Sequence, residues 1–447
     1  MASTSARVGP SLISLIAYAA PIGAAIALWM PTMSILPGIY AKYFGLKLEA
    51  IAEVLLVARV FDGFTDPVIG YLADRYHAKG GSYKPWVMIG GIGMLVAAHF
   101  LFSPPRPVSQ AYYLVWSLVF YVAWSLIDIP HGAWGATLTG DYYGRARIYG
   151  VRSASVFAGL ILFFCVPFLP MFSGNEYTPE TMRWTVYIGA AVMLACLVLA
   201  ARAPEGAAAT TWKPDSPRAM LHSVVANRPL LIFLTGYVIG GIGYGMWFGL
   251  AFIYLDGYLH LADKISIIFL VGNIVGMLSM PAWLWLTRAT SKSSTWAVGT
   301  IAYVLLLFGC LFITPGSSWL LSLLLTGGIY VSFACQTMAT QAILGDVADF
   351  GALKFRRDSG ATYFALLTLS NKVTSGLGAG LSLGIAGHYG FDVAVKVQTS
   401  TGIVGLRLAF IFLPIACAVI SIILILLSPI TPRRHGVIRR RLETQSA

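Results

Sequence analysis

The chain of 447 residues is 57% hydrophobic and only 11% charged, with a mean hydropathy of +0.76. This composition excludes an ordinary soluble domain, because most of the surface must face hydrocarbon rather than water. The net charge of +12 does not indicate nucleic-acid binding. The basic residues cluster beside apolar segments, where they are typical of topological anchors near anionic lipid.

Apolar runs of about 20 residues, the length needed to cross a bilayer, recur along the chain. Their unbroken length favours helices over the alternating strands of a membrane barrel. We therefore predict an all-α polytopic membrane protein with twelve transmembrane helices in two six-helix bundles. The predicted helices cover residues 12–41, 50–74, 86–103, 110–139, 150–172, 182–202, 229–256, 264–287, 296–314, 319–348, 359–387 and 402–428.

A stretch from 203 to 228 is rich in alanine, proline, threonine and charge, and it lacks a membrane-length apolar run. We predict that it is a cytoplasmic linker between an N-terminal bundle (1–202) and a C-terminal bundle (229–428), which is followed by a basic tail (429–447). The loops on the side of the two termini carry most of the lysine and arginine. The positive-inside rule therefore predicts cytoplasmic termini, and we expect a bacterial inner membrane protein.

The second predicted helix carries Arg59, Asp62 and Asp66 near its centre. At about 100° per residue these side chains project from one face. A charge on lipid there costs at least about 2.5–3.5 kcal/mol, so this face should meet protein or a watery cavity. A structural ion pair with Arg59 would explain the presence of one of the two carboxylates. A second carboxylate one turn away favours a site for Na⁺ or for a transferable proton, and the residue types suit either cation.

The loop after this helix contains Gly70, Asp74 and Arg75 in a Gly-x-x-x-Asp-Arg pattern, which resembles the loop between helices two and three of the major facilitator superfamily. Four longer stretches resemble the glycoside, pentoside and hexuronide to cation symporter family of that superfamily, whose best-known member is the melibiose permease. The resemblance implies the major facilitator superfamily fold and membrane transport rather than enzyme activity. In chain order the four stretches read VARVFDGFTDPVIG, SYKPWVMIGG, SLIDIPHGAW and DVADFGALKFRRDSGATYFALLTLSNKVTSGLGAG.

The resemblance implies roles for several residues of the second helix and its loop. Asp62 and Asp66 correspond to the ligands of the coupling cation, and they would be metal ligands if that cation is Na⁺. Thr65 and Ser125 match polar residues beside the cation. Arg59 is assigned to the same charge network from its position on this helix face. Gly70, Asp74 and Arg75 would form a gate clamp, meaning a charge contact between helix ends that opens during alternating access. No cofactor is implied beyond the coupling cation, Na⁺ or H⁺.

The resemblance also implies a solute site. Asp128 occupies the position of a sugar-binding aspartate, Arg152 matches a basic residue near the sugar, and Lys372 matches a lysine close to the charged centre. Asp128 and Lys372 fall near the centres of their helices, where a lone charge is expensive, so a pair across the cavity is one interpretation. The alternatives are a structural anchor beside Pro130 for Asp128 and a structural counter-ion for Lys372.

The first predicted helix departs from the family pattern. Characterised sugar transporters of the family carry an acidic residue there that contacts the sugar, whereas the stretch AYAAPIGAAIALWMPTM is uncharged. Trp29 would take the place of this acidic residue if its ring stacks on a sugar. The alternative is that Trp29 faces lipid. His131 is a further polar contact for a solute, or it packs against a neighbouring helix.

The predicted function is cation-coupled import of a glycoside, pentoside or hexuronide by alternating access. The expected partners are a small-molecule solute, in particular a glycoside or uronide, and membrane lipid. We expect a monomer to be sufficient for transport. Two alternatives stay open: a cation-coupled transporter of a non-sugar amphiphile such as a lysolipid, and a proton-driven efflux antiporter.

Overall fold

A computed structural model describes residues 11–138, 142–205, 222–355, 360–395, 397–427 and 432–446. Within these ranges the regular secondary structure is helical, which confirms the all-α prediction. Residues 206–221 of the predicted linker lie outside the described part of the chain, as do residue 428, the last of the predicted twelfth helix, and residues 429–431 of the predicted tail.

The chain divides into two compact units. The first comprises Met1–Leu46 and Val60–Lys213. Its longer helices pack side by side, with α1 against α6 and α7, and with α4 against α5 and α7. The helices from the N-terminus to the end of this unit are α1 (Leu12–Ser34), α2 (Leu36–Phe44), α3 (Leu48–Ala78), α4 (Lys84–Phe102), α5 (Gln110–Thr137), α6 (Tyr142–Cys165) and α7 (Pro179–Arg202).

The second unit comprises Lys47–Arg59, the first part of α3, together with Pro214–Ala447. In this unit α8 packs against α13 and α15, and α12 packs against α9 and α11. Its remaining helices are α8 (Arg228–Ile253), α9 (Ile265–Leu278), α10 (Met280–Ala289), α11 (Lys292–Gly309), α12 (Trp319–Phe355), α13 (Gly360–His388), α14 (Ser400–Arg407), α15 (Leu413–Leu426) and α16 (Pro432–Ser446).

Ten helical segments of the described chain are long and apolar enough to cross a membrane. They account for ten of the twelve predicted spans. The other two spans form the helices α3 and α13, of 31 and 29 residues, which contain the candidate charges of the second and eleventh predicted helices. Charged residues lower the apolar character of α3, and in α13 the many glycine, serine and threonine residues do so together with Lys372.

In two of the predicted spans the helix breaks at a turn residue, whereas in the twelfth a π-helical segment, Leu408–Phe412, connects α14 to α15. The first breaks at Ile35, between α1 and α2, and the eighth breaks at Ser279, between α9 and α10. In both cases a proline follows two residues later, at Pro37 and Pro281. Proline removes one hydrogen-bond donor and crowds the preceding turn, so it suits the first turn of a new helix.

The helices α1 and α6 cross on a pair of glycines. A Cβ atom added at Gly159 of α6 would overlap the backbone of Gly23 on α1, and a Cβ added at Gly23 would lie 2.5 Å from the carbonyl oxygen of Ser155. Small residues at a crossing allow two backbones to approach closely, which is a common basis of helix packing in membranes. This contact fixes α1 beside α6 within the first unit.

We expect Gly159→Ala to lower the thermal unfolding midpoint, because the added methyl group forces α1 and α6 apart and such overpacking costs about 1–3 kcal/mol. Gly150→Ala is the matched control on the same helix, since a Cβ there meets no atom within 4 Å. Fluorescence-detected unfolding of the two purified variants makes the comparison. Equal midpoints for both variants would contradict the close crossing.

The basic tail is helical over α16, and this helix packs on α12. His435 Nε2 lies 2.9 Å from Asp349 Oδ2 and 3.3 Å from Asp346 Oδ1. Lys292 Nζ, at the start of α11, also donates to Asp346 Oδ1 at 2.5 Å. The two carboxylates of α12 therefore join the ends of three helices in the second unit.

Candidate functional site

Helix α3 presents its charges inward and its apolar side chains outward. The helix runs without a break through Pro67, so Asp62 and Asp66 lie one turn apart. Asp62 is 7% exposed and Arg59 is also buried, whereas Phe64 is 72% exposed on the outer surface. This arrangement is the reverse of that in a soluble protein, and it is the one expected for charged groups at membrane depth.

A second helix meets this charged face inside the first unit. Ser125 Oγ of α5 donates to Asp66 Oδ1 at 2.5 Å, and Ser125 is buried. Thr65 Oγ1 donates to the carbonyl oxygen of Phe61, one turn earlier, at 3.2 Å. The structure thus brings together Asp66 and Ser125, two of the residues that the sequence assigned to the cation site.

The atoms that Asp62, Asp66 and Ser125 offer as cation ligands are all oxygen. The described residues contain no group of three or more histidine, cysteine, aspartate or glutamate side chains that could hold a metal ion. Carboxylate and hydroxyl oxygens suit a hard cation such as Na⁺, and a carboxylate at membrane depth also suits a proton. Asp62, Asp66 and Ser125 are therefore chemically suited to a transported cation, and neither cation is singled out.

A second polar cluster lies between α5 and α6. Arg152 Nη2 donates to Asp128 Oδ1 at 2.5 Å, and Arg152 Nε donates to His131 Nδ1 at 3.3 Å. The side chains of Asp128 and Arg152 keep 19% and 24% of their accessible surface, whereas His131 is fully buried. The ion pair is therefore partly accessible, and the buried imidazole contacts its guanidinium. Three of the residues assigned to the solute site are thus in direct contact.

Helix α1 completes this cluster through Tyr18, a residue that the sequence interpretation missed. The Tyr18 ring stacks on the His131 ring with centroids 4.3 Å apart. Its hydroxyl donates to the backbone oxygen of His131 at 3.1 Å, and its backbone oxygen lies 2.8 Å from His131 Nε2. Tyr149 of α6 adds a hydrogen bond to the carbonyl oxygen of Gly132 at 3.2 Å.

Trp29 lies further along α1 and stacks on Trp124 of α5, with centroids 5.2 Å apart and planes 24° apart. Trp29 is half-buried and Trp124 is buried. One face of Trp29 is thus occupied by protein, which argues against a ring surrounded by lipid. Because Trp124 precedes Ser125, this aromatic pair lies on the same helical turn as the contact to Asp66.

The candidate gate clamp lies at the end of α3. Asp74 Oδ1 accepts a hydrogen bond from the Tyr83 hydroxyl at 2.9 Å, while Arg75 is exposed. Burial, together with this bond to a carboxylate, raises the pKa of Tyr83 well above its ordinary value. A Cβ atom at Gly70 would make an ordinary contact with Ile129 of α5, 3.6 Å away. The described contact of Asp74 therefore joins α3 to the start of α4.

Another ion pair lies near this edge of the first unit. Lys84 Nζ is 3.1 Å from Glu205 Oε1, and Ser82 Oγ donates to the same carboxylate at 2.9 Å. Partial burial alone would raise the pKa of Glu205, but the hydrogen bonds from Lys84 and Ser82 outweigh it and hold that pKa below its usual range. This contact ties the start of α4 to the segment that follows α7.

The two remaining candidates belong to the second unit. Arg59 is buried in the first part of α3, and a Cβ atom at Gly376 of α13 would overlap its side chain. Lys372 lies on α13 one turn before Gly376 and is half-buried. The glycine allows the Arg59 side chain to lie against α13. The assignment of Lys372 to the solute site stays a prediction.

Comparison with known proteins identifies the family. The family model described as MFS/sugar transport protein matches residues 17–432. The chain belongs to this family. The match confirms the resemblance drawn from the sequence motifs, and it makes the protein an integral membrane transporter of the major facilitator superfamily rather than an enzyme.

Two curated transport proteins are similar to the chain along most of its length. The glucuronide carrier protein homolog of Escherichia coli (strain K12) is 24% identical over 408 residues, which cover 88% of this chain and 87% of the relative. The isoprimeverose transporter of Lactiplantibacillus pentosus is 23% identical, with 84% of this chain and 80% of the relative covered. Small sugar-like solutes are thus the cargo named for these relatives.

A solved structure supports the fold. The crystal structure of the nucleoside transporter NupG matches with a TM-score of 0.64 at 14% identity, covering 93% of this chain and 98% of that chain. At this identity the likeness concerns the fold alone. It agrees with the predicted twelve-helix architecture of the major facilitator superfamily.

Proposed function

We propose that the protein is a cation-coupled symporter that imports a glycoside, pentoside or hexuronide by alternating access. One observation carries the proposal. Ser125 and Asp128 lie within one turn of α5, and Ser125 contacts Asp66 whereas Asp128 contacts Arg152. A single helical turn therefore touches both the candidate cation site and the candidate solute site.

This turn gives a physical route for coupling. A cation at Asp62 and Asp66 reduces the negative charge beside Ser125 and changes the hydrogen bond that Ser125 donates. The same turn holds Asp128, so the occupancy of one site alters the position and field at the other. Coupling of this kind is reciprocal, and the solute raises the affinity for the cation as much as the cation raises that for the solute.

The chemistry of Asp128 and Arg152 suits a sugar. A carboxylate accepts hydrogen bonds from two hydroxyl groups, and the neighbouring guanidinium donates to hydroxyl or carboxylate oxygens. The pair therefore accommodates neutral glycosides as well as uronides. The cargo named for the glucuronide and isoprimeverose relatives supports the same solute class. We further propose a monomer in a bacterial inner membrane with both termini in the cytoplasm.

A second candidate function is transport of a non-sugar amphiphile such as a lysolipid. The observation in its favour is the uncharged α1, which contributes the Trp29–Trp124 stack rather than a carboxylate. An aromatic wall of this kind suits an aryl or acyl group better than a ring of hydroxyls.

An uptake panel in proteoliposomes tests these proposals. The panel contains phenyl glucuronide, methyl xyloside, lactose, melibiose and a lysophospholipid, each under an imposed inward Na⁺ or H⁺ gradient. We expect one sugar-like solute to accumulate above its external concentration with one of the cations, and to leave the vesicle when that gradient is reversed. Accumulation of the lysophospholipid alone would select the second candidate. Accumulation driven only by an outward cation movement would overturn symport in favour of an antiporter.

A further inference from the structure

We infer that His131 is a positioning residue, which holds the Arg152 guanidinium so that its Nη1–Nη2 edge is directed at the solute. The inference rests on the proposed function for the presence of a solute at Asp128. It adds a protonation state and a role for a histidine that the transport mechanism above does not use.

The partners of His131 define its tautomer. Nε2 lies 2.8 Å from the backbone oxygen of Tyr18, and a carbonyl oxygen only accepts, so Nε2 carries the hydrogen. Nδ1 lies 3.3 Å from Arg152 Nε, and a guanidinium only donates, so Nδ1 is the bare acceptor. His131 is therefore neutral. A proton on Nδ1 would point one donor at another and place two cations side by side.

The same contact orients Arg152. The N–H of Nε and one N–H of Nη2 lie along one edge of the planar guanidinium. His131 occupies the first position and Asp128 the second, at 3.3 and 2.5 Å. With this edge held at two points, the plane of the group is fixed. The adjacent edge, formed by Nη1 and Nη2, is then the one that presents two parallel N–H groups to a hydroxyl pair or a carboxylate.

The imidazole itself is held rigidly by its neighbours. Tyr18 covers one face at 4.3 Å, and the edge of Trp134 approaches at 5.9 Å. A Cβ atom at Gly135 would overlap the Tyr18 hydroxyl, so the Tyr18 ring fits there only beside glycine. A side chain locked on both its nitrogens and its face is well suited to position a charged partner. It is poorly suited to release and bind a proton in each transport cycle.

Two variants separate positioning from packing. His131→Phe keeps an aromatic ring on Tyr18 but removes both hydrogen bonds. His131→Gln can donate to Tyr18 and accept from Arg152. With phenyl glucuronide, or the panel sugar that the wild-type protein accumulates most, we expect His131→Phe to raise KM about tenfold, equivalent to about 1.4 kcal/mol, with a smaller change in the maximal rate. His131→Gln should restore most of the affinity. His99→Gln, at an exposed position of α4, is the control.

The unfolding midpoint and the imidazole nitrogens give readouts that do not depend on transport. We expect the ¹⁵N signal of His131 Nδ1, assigned by its loss in His131→Gln, to remain that of an unprotonated nitrogen between about pH 5 and 8, where an ordinary histidine titrates. Arg152→Lys should shift this signal because the Nε donor is lost. If wild type transports no panel solute but these signals behave as expected, the proposed function fails and the positioning contact stands.

Three results would overturn the inference. One is a Nδ1 signal that titrates in this pH range or does not respond to Arg152→Lys. Another is equal KM values for wild type and His131→Phe. The third is an equal loss of affinity in the Phe and Gln variants together with equal falls in unfolding midpoint, since that pattern belongs to packing alone.

Discussion

Replacing Asp62 with asparagine is expected to abolish gradient-driven accumulation of solute while leaving solute exchange across the membrane intact. Asp62 is buried one turn from Asp66 on the inward face of α3. The neutral amide removes the charge that would hold a cation but keeps the shape of the side chain, so the carrier can still cycle with solute alone. Uptake and counterflow in the same proteoliposome preparation measure the two activities separately.

The exposed Asp263, which pairs with its neighbour Lys264 at 2.9 Å, supplies the matched control, and Asp263→Asn should accumulate solute normally. If the cation is Na⁺, Ser125→Ala should also raise the Na⁺ concentration needed for half-maximal uptake, since it removes an oxygen beside Asp66. Unchanged accumulation by Asp62→Asn would show that the cation binds elsewhere.

The second large effect is expected when the ion pair between Asp128 and Arg152 is broken. Asp128→Asn or Arg152→Gln leaves one charge without its partner at a mostly buried site. We expect each single variant to lose solute uptake and about 3 kcal/mol of stability, the lower end of the range for a broken buried pair. The double variant should recover stability, because both charges are gone, but it should not recover uptake. Thermal unfolding and uptake of the three variants test this pattern.

Lys264→Gln controls for the loss of a basic side chain from an exposed pair, which is expected to change stability by less than about 1 kcal/mol. Uptake retained by the double variant would mean that the pair is a structural contact rather than part of the solute site. Additive losses of stability in the double variant would indicate that Asp128 and Arg152 do not interact.

The sequence predicts the charged residues of the site better than the residues that pack around them. A charge at membrane depth has few acceptable environments, so the inward face of Asp62 and Asp66 follows from helical spacing and energetics. The contact between Asp66 and Ser125 follows from the family resemblance. Tyr18 carries no such signal. Its ring stack on His131 belongs to no sequence motif, and its contact with His131 Nε2 uses a backbone oxygen, which every residue type has. The stack of Trp29 on Trp124 is equally hard to predict, because nothing in the sequence selects this pair from the 12 tryptophans of the chain.

Prolines show a similar limit on how well the sequence predicts breaks in the helices. Pro37 and Pro281 follow breaks in the helix, whereas α3 and α5 continue through Pro67 and Pro130. The residue type is the same in all four cases. Neighbouring helices can compensate for the lost backbone hydrogen bond in a membrane protein, and that compensation depends on packing that a single segment of sequence does not contain.

The outward apolar face and inward charged face of α3 also bear on how the protein is made. A newly synthesised helix meets lipid before its neighbours are in place, and each charge near its centre disfavours insertion by about 2.5–3.5 kcal/mol. With Arg59, Asp62 and Asp66 on one helix, α3 is a weak membrane-insertion segment by itself, unlike α1 or α4. Its integration therefore depends on more apolar segments that enter beside it, so the charges that we propose for cation coupling also weaken the insertion of α3.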